Sequence, residues 1–236
     1  MRSIRKFGFL AAVGLLAALP VVSQMNPAMK PPEFRGIFNP VMGSGAAYEM
    51  TNKAGKTELE LTVVGKEEVN GRPGVWLEMG ADTPQGGQAY AKNLLVIDGK
   101  SATSARMIIQ MAGQAPVDVT ALFANQPVPP IATDSRESAE HLGTEDVTTP
   151  AGTFSCEHYK AKDASWETWI SPKVTPWGMV KLVNSSDVTM VLTKVITGAT
   201  DHIVGNPVPI STGGAGRSGA GSGQGAPTLG QAPPKN

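Results

Sequence analysis

Apolar and polar positions alternate over most of the chain between residues 45 and 197, and the alternation is broken at short intervals by turn residues. Thr57-Glu58-Leu59-Glu60-Leu61 follows the period of two expected of a strand with one wet face. Asn70-Gly71 readily takes positive φ at both positions of a two-residue hairpin loop. A loop of these two residues predicts Val69 opposite Arg72, Trp76 over the gap at Gly65, and Val64 opposite Leu77, with Pro73 as the place where a bulge would shift the register. Asp98-Gly99, the Lys53–Lys56 segment and Asn184-Ser185-Ser186-Asp187 mark further turns between apolar runs. Turns this closely spaced predict antiparallel neighbours rather than strand–helix–strand units.

Other runs are apolar on both faces: Leu94-Leu95-Val96-Ile97, Met107-Ile108-Ile109 and Met190-Val191-Leu192. Such strands need cover on both sides. Helical signals are sparse. Asp134 and Glu137 have capping-box spacing ahead of Gly143, although the same stretch also reads as an extended lead into Val147. Pro127, Pro129 and Pro130 predict a loop over residues 125–133. The fold class expected is therefore all-β: a curved antiparallel sheet, a half-barrel or open barrel, with at most one or two short helices. Its sheltered side is either packed solid or a cavity.

The ends differ from the middle. Arg2, Arg5 and Lys6 precede an uncharged run from Phe7 to Leu19, closed by Pro20 and followed by Val21 and Ser23. This is the pattern of a signal peptide over residues 1–23, and the run is too short for a membrane-crossing helix. The expectation is an exported chain, periplasmic or extracellular, with no membrane span after cleavage. Residues 24–44 read as an irregular Pro-rich segment, with Phe34, Ile37 and Phe38 available to hold it to the domain. Residues 45–205 are the β domain, and residues 206–236 read as a disordered Gly/Ser/Pro-rich tail.

Charge narrows the partners. Without Arg2, Arg5 and Lys6 the chain carries 17 basic against 20 acidic side chains, which gives no electrostatic reason to expect nucleic acid. Cys156 is the only cysteine, so no internal disulfide forms, and its alternating surroundings read as a small buried apolar residue. His141, His158 and His202 are too scattered for a zinc site. No nucleophile elbow or phosphate loop lies on a strand–helix junction. The sequence names no catalytic residue, no metal ligand and no cofactor.

Methionine is the unusual residue. Met79, Met107, Met111, Met179 and Met190 fall in predicted strands, and side chains of this kind serve irregular cores and adaptable apolar sites alike. Together with Trp76 they form the candidate ligand-binding set, for a lipid-like or apolar ligand. Oligomeric state is not legible.

The run Gly143-Thr144-Glu145-Asp146-Val147-Thr148-Thr149-Pro150-Ala151-Gly152-Thr153-Phe154-Ser155-Cys156, followed by Trp169-Ile170-Ser171-Pro172 and Pro176-Trp177-Gly178-Met179-Val180-Lys181, resembles an uncharacterised exported bacterial domain family similar to the outer-membrane lipoprotein carriers. The resemblance implies a curved antiparallel half-barrel around an apolar concavity, and it implies no catalytic residue. The lid helices common in the carriers are not evident in this sequence. Two function classes follow. One is a non-catalytic binding or carrier module for a lipid-like ligand or lipidated partner. The other is a structural or protein-interaction module of the cell envelope with a filled core.

Overall fold

In a computed structural model the described residues are 34–53, 55–83, 86–123 and 130–210; the signal-peptide expectation and most of the tail expectation lie outside them. From Arg35 onward the chain forms one unit, built on one open, curved and largely antiparallel sheet. Its strands are β1 (Ser44–Asn52), β2 (Gly55–Val69), β3 (Arg72–Asp82), β4 (Gln88–Asp98), β5 (Ser101–Met111), β6 (Val117–Asp118), β7 (Ile131–Ala132), β8 (Ala139–Thr149), β9 (Gly152–Ala161), β10 (Trp166–Ile170), β11 (Met179–Asn184), β12 (Thr189–Thr197) and β13 (Val208–Pro209). A lone short helix α1 (Thr120–Phe123) and a single 3-10 turn (Ser135–Ser138) are the helical elements among the described residues. The order across the sheet is β13-β6-β5-β4-β3-β2-β1-β12-β11-β10-β9-β8, with β7 paired to β5. The all-β expectation holds, and the sheet is open rather than a closed barrel.

The turns fall where the sequence places them. Asn70 and Gly71 take φ of 53° and 76° between Val69 and its partner Arg72. Trp76 lies opposite Gly65, where an added Cβ would meet the indole Cδ1 at 3.0 Å. One register expectation is corrected: Leu77 pairs with Val63, not Val64. Val64 is an extra residue in β2, whereas Pro73 pairs in register with Glu68. Similar bulges at Ala105, Leu142, Val180 and Thr193 add local twist, which is how a long sheet curves. The stretch 125–133 is not loop throughout, because Ile131 and Ala132 pair with Ala102 and Ser101. The alternative readings of residues 134–143 are both partly realised. Asp134 caps a short 3-10 turn by accepting from the Arg136 backbone N–H, and β8 then runs extended from Ala139.

Strands apolar on both faces do receive two covers. Leu95 packs with Val63, Val75, Leu77 and Ala102, joined by Phe38 from the irregular segment before β1. Leu94, one residue away and pointing oppositely, packs with Trp76, Ile108 and Ile203 from the segment after β12. Phe38 is itself fixed by its N–H on the Thr133 carbonyl and by the Trp177 ring, 4.7 Å away. The half-closed sheet is thus completed by two irregular segments, one on each face.

Asp134 and Asp118 are two of the carboxylates that make this fold acid-sensitive, with Glu167 and Asp163 also held low. Hydrogen bonds from Arg136 hold Asp134 below the usual carboxylate range. Burial works the opposite way at Asp118, but the Thr120 and Arg106 donors outweigh it and lower that group too. A carboxyl group lowered in the folded state adds stability that is present above its unfolded pKa, about 3.9, and is lost as pH falls through the lower folded value. Urea unfolding at a series of pH values is expected to show stability falling below about pH 4, with a shallower fall in Asp134→Asn.

Candidate functional site

The ladder registers sort the expected binding residues onto two faces. Met190 pairs with Met50, Met50 with Thr57, and Leu61 with Met79. Side chains two apart share a face, so Met190, Met79, Leu59 and Leu61 lie on one side, here the core face. Met79 continues through Ala91 to Ile109, which brings Met107 and Met111 to the same side. Trp76 lies on the opposite side with Glu78, whereas Leu182 pairs with Met190 and the extra residue at Val180 sets Met179 opposite Ile170, back on the Leu182 side. Five of the six candidates therefore share a face, and Trp76 does not join them.

The five are not equivalent, and Met179 is fully buried. Met190 is 1% exposed, in a packed interior with Tyr48, Leu182 and Leu192. Met79, Met107 and Met111 are half-buried, together with Ala81, Ala89, Ala91 and Ile109 on the same face. Met190 is three strands from Met79, roughly 14 Å at the usual spacing of paired strands. Tyr48, fully buried, donates its hydroxyl hydrogen bond to the Met179 carbonyl at 3.0 Å. Two surface depressions, of about 380 and 500 Å³, are lined by Glu49, Lys56 and Asp82 in one case and by Pro40, Pro73 and Ile97 in the other. Neither is lined by a candidate methionine.

The opposite face holds a constellation that the sequence reading missed. Glu78 is 1% exposed, in the middle of β3. Its carboxylate accepts from the backbone N–H groups of His202 (3.1 Å) and Ile203 (3.3 Å), and pairs with His202 Nδ1 at 2.6 Å. Burial pushes the Glu78 carboxyl above the usual range, and the His202 donors oppose that shift. Tyr90 stacks on the His202 ring with centroids 4.7 Å apart, and Lys92 forms an ion pair with Asp201. A strap after β12 is thereby fastened across β3 and β4 and ends with β13 parallel to β6. β13 falls inside the stretch expected as tail. The signal was faint but readable: Glu78 sits at an apolar-flanked strand position, and Ile203 is the apolar residue beside a histidine in an otherwise loop-like segment.

On β8–β11 the same side carries His158, stacked on Trp169 at 4.1 Å and flanked by Glu145 and Glu167. Lys181 Nζ lies over the same indole, 4.4 Å from a ring centroid. These contacts satisfy one another. Among the described residues no group of three or more His, Cys, Asp or Glu is placed to hold a metal ion, and no helix is long and apolar enough to cross a membrane.

Cys156 is buried, and burial, with Asp146 and Glu145 nearby, raises its thiol to about 11. The thiolate is the reactive form. Iodoacetamide at pH 8 is expected to leave the native chain unlabelled and to modify it stoichiometrically in denaturant; rapid native labelling would contradict the assigned burial.

The fold and these faces define a β-sheet protein with a packed interior, an apolar half-buried strand face and a strap on the reverse side. No protein-family model matches the chain, and no curated protein matches it. Among solved structures, a candidate lipoprotein from Parabacteroides distasonis aligns at 16% identity and a TM-score of 0.33, over 70% of this chain and 100% of that one. A candidate exported protein with a YmcC-like fold from Bacteroides fragilis aligns at 15% identity and a TM-score of 0.32, over 68% and 99%. Superpositions this loose carry no argument about ancestry or activity.

Proposed function

We propose that this chain is an exported, non-catalytic interaction module of the cell envelope, with a filled core and an apolar sheet face as its contact surface. The leader pattern at residues 1–23 supports export. The observation that carries the interaction reading is the contrast along one face. Tyr48, Leu182, Met190 and Leu192 are fully buried in a solid interior, whereas Met79, Met107, Ile109 and Met111 on the same face remain half-buried. Flexible thioethers at a half-buried position suit a surface that adapts to a partner. Proteins resembling the lipoprotein carriers would instead need an internal concavity, and the near-zero exposure of Tyr48, Leu182, Met190 and Leu192 supports a filled interior over one.

A photo-crosslinking residue in place of Ile109, with one in place of Glu60 on the reverse face as control, tests this in cells that export the protein. A discrete protein adduct from position 109 and none from position 60 is expected. Adducts to lipid alone would favour the carrier reading, and no adduct at position 109 would remove the apolar face as a contact surface.

A further inference from the structure

The geometry points to the free edge of β8 as a strand-addition site for an extended partner segment bearing adjacent basic residues. The two ends of the sheet are treated differently. At one end the strands beyond β5 are two residues long, and β13 contains Pro209, which cannot donate to a ladder. Such endings protect an edge. At the other end β8 runs for 11 residues and pairs with β9 alone among the described residues. Curling brings β8 near β12, with no backbone ladder between them. After the bulge at Leu142, Gly143 to Thr149 stay in regular register with β9, so the outward N–H and C=O groups of that half are arrayed as a template.

Charge selects the occupant. Glu145 pairs across with Cys156 and Asp146 with Ser155, so neighbouring positions carry a carboxylate on each face of the ladder, that of Glu145 also accepting from Trp169 Nε1 and lying against His158. Both residues are exposed. A second copy pairing antiparallel about this point would set Glu145 against Asp146, and like charges directly opposite destabilise a ladder. A partner strand with two consecutive lysines or arginines would place one cation beside each carboxylate. The same carboxylates therefore disfavour self-association and favour a basic strand. This surface is separate from the apolar face of β3–β5 and does not depend on it.

The test uses the full chain and two synthetic peptides, acetyl-Thr-Val-Thr-Lys-Lys-Thr-Val-Thr-amide and its Glu-Glu counterpart. Amide hydrogen exchange at Gly143–Thr149 and NMR titration are the readouts. The Lys-Lys peptide is expected to slow exchange on β8 and to bind roughly fivefold more tightly than the Glu-Glu peptide. Asp146→Lys is expected to erase or invert that preference while the chain stays folded, since Asp146 is exposed. Equal effects of the two peptides, protection confined to other strands, no protection at millimolar Lys-Lys peptide, or a wild-type chain that dimerises through β8 would each overturn the inference.

Discussion

Met190→Asp is expected to leave the chain unfolded or molten at room temperature, whereas Met107→Asp is expected to remain folded. Met190 is enclosed beside Leu192 and Leu182, and the ladder sets it across from Met50 and Leu182. A carboxylate placed there has no partner and no water. Burying an unpaired charge in such a site costs several kcal/mol, on the order of half or more of a domain's total stability of about 5–15 kcal/mol. Met107 shares the face but is half-buried, so its replacement can turn toward solvent and is expected to cost about 1 kcal/mol. Circular dichroism melts of the two variants check the contrast. Similar melting of both would mean that the interior around Met190 is wet and that the packed-core account is wrong.

The second large effect is at the strap. Glu78→Ala removes the acceptor for the His202 backbone N–H and the partner of His202 Nδ1, while the Ile203 N–H loses its longer bond and keeps Asp201 Oδ1 at 2.9 Å. Each buried donor left unpaired costs about 1–3 kcal/mol. The strap can escape part of this by lifting into water, at the expense of Ile203 leaving its contacts with Trp76, Leu94 and Ile108. The expected outcome is a loss of about 2–4 kcal/mol in urea unfolding. Limited proteolysis is expected to cut between Gly198 and Ile210, where the wild type resists. An unchanged unfolding midpoint with an intact strap would show that Glu78 does not fasten it.

The strand pattern was legible because it rests on local chemistry. Asn70-Gly71 supplies positive φ, Pro150-Ala151 turns Thr149 back to Gly152, and Phe154 and Cys156, two apart, are both buried. The need for cover on both faces of Leu94-Leu95 was also legible. What provides the cover was legible only in part: Phe38 was among the residues available to hold the segment before β1 to the domain, and it packs there, whereas Ile203 lies in a segment with no periodicity to read. Val64 escaped for a related reason: a bulge depends on how two strands curve together, and neither strand alone shows it. The methionine set was read as one site on composition, but face assignment requires register. One extra residue at Val180 in β11 brings Met179 to the Met190 side, from which regular alternation would turn it away. Glu78 was passed over because its partners lie more than a hundred residues away along the chain.

The filled interior is tested most directly by thermal unfolding of the full chain with increasing oleate, held below its micelle concentration. An enclosed site would bind the native state and raise stability by RT ln(1 + [L]/Kd), about 2.7 kcal/mol at a hundredfold excess over Kd. The packed interior predicts no saturable rise in Tm. A saturable one-to-one rise, abolished by enlarging Leu192 to Trp, would contradict it.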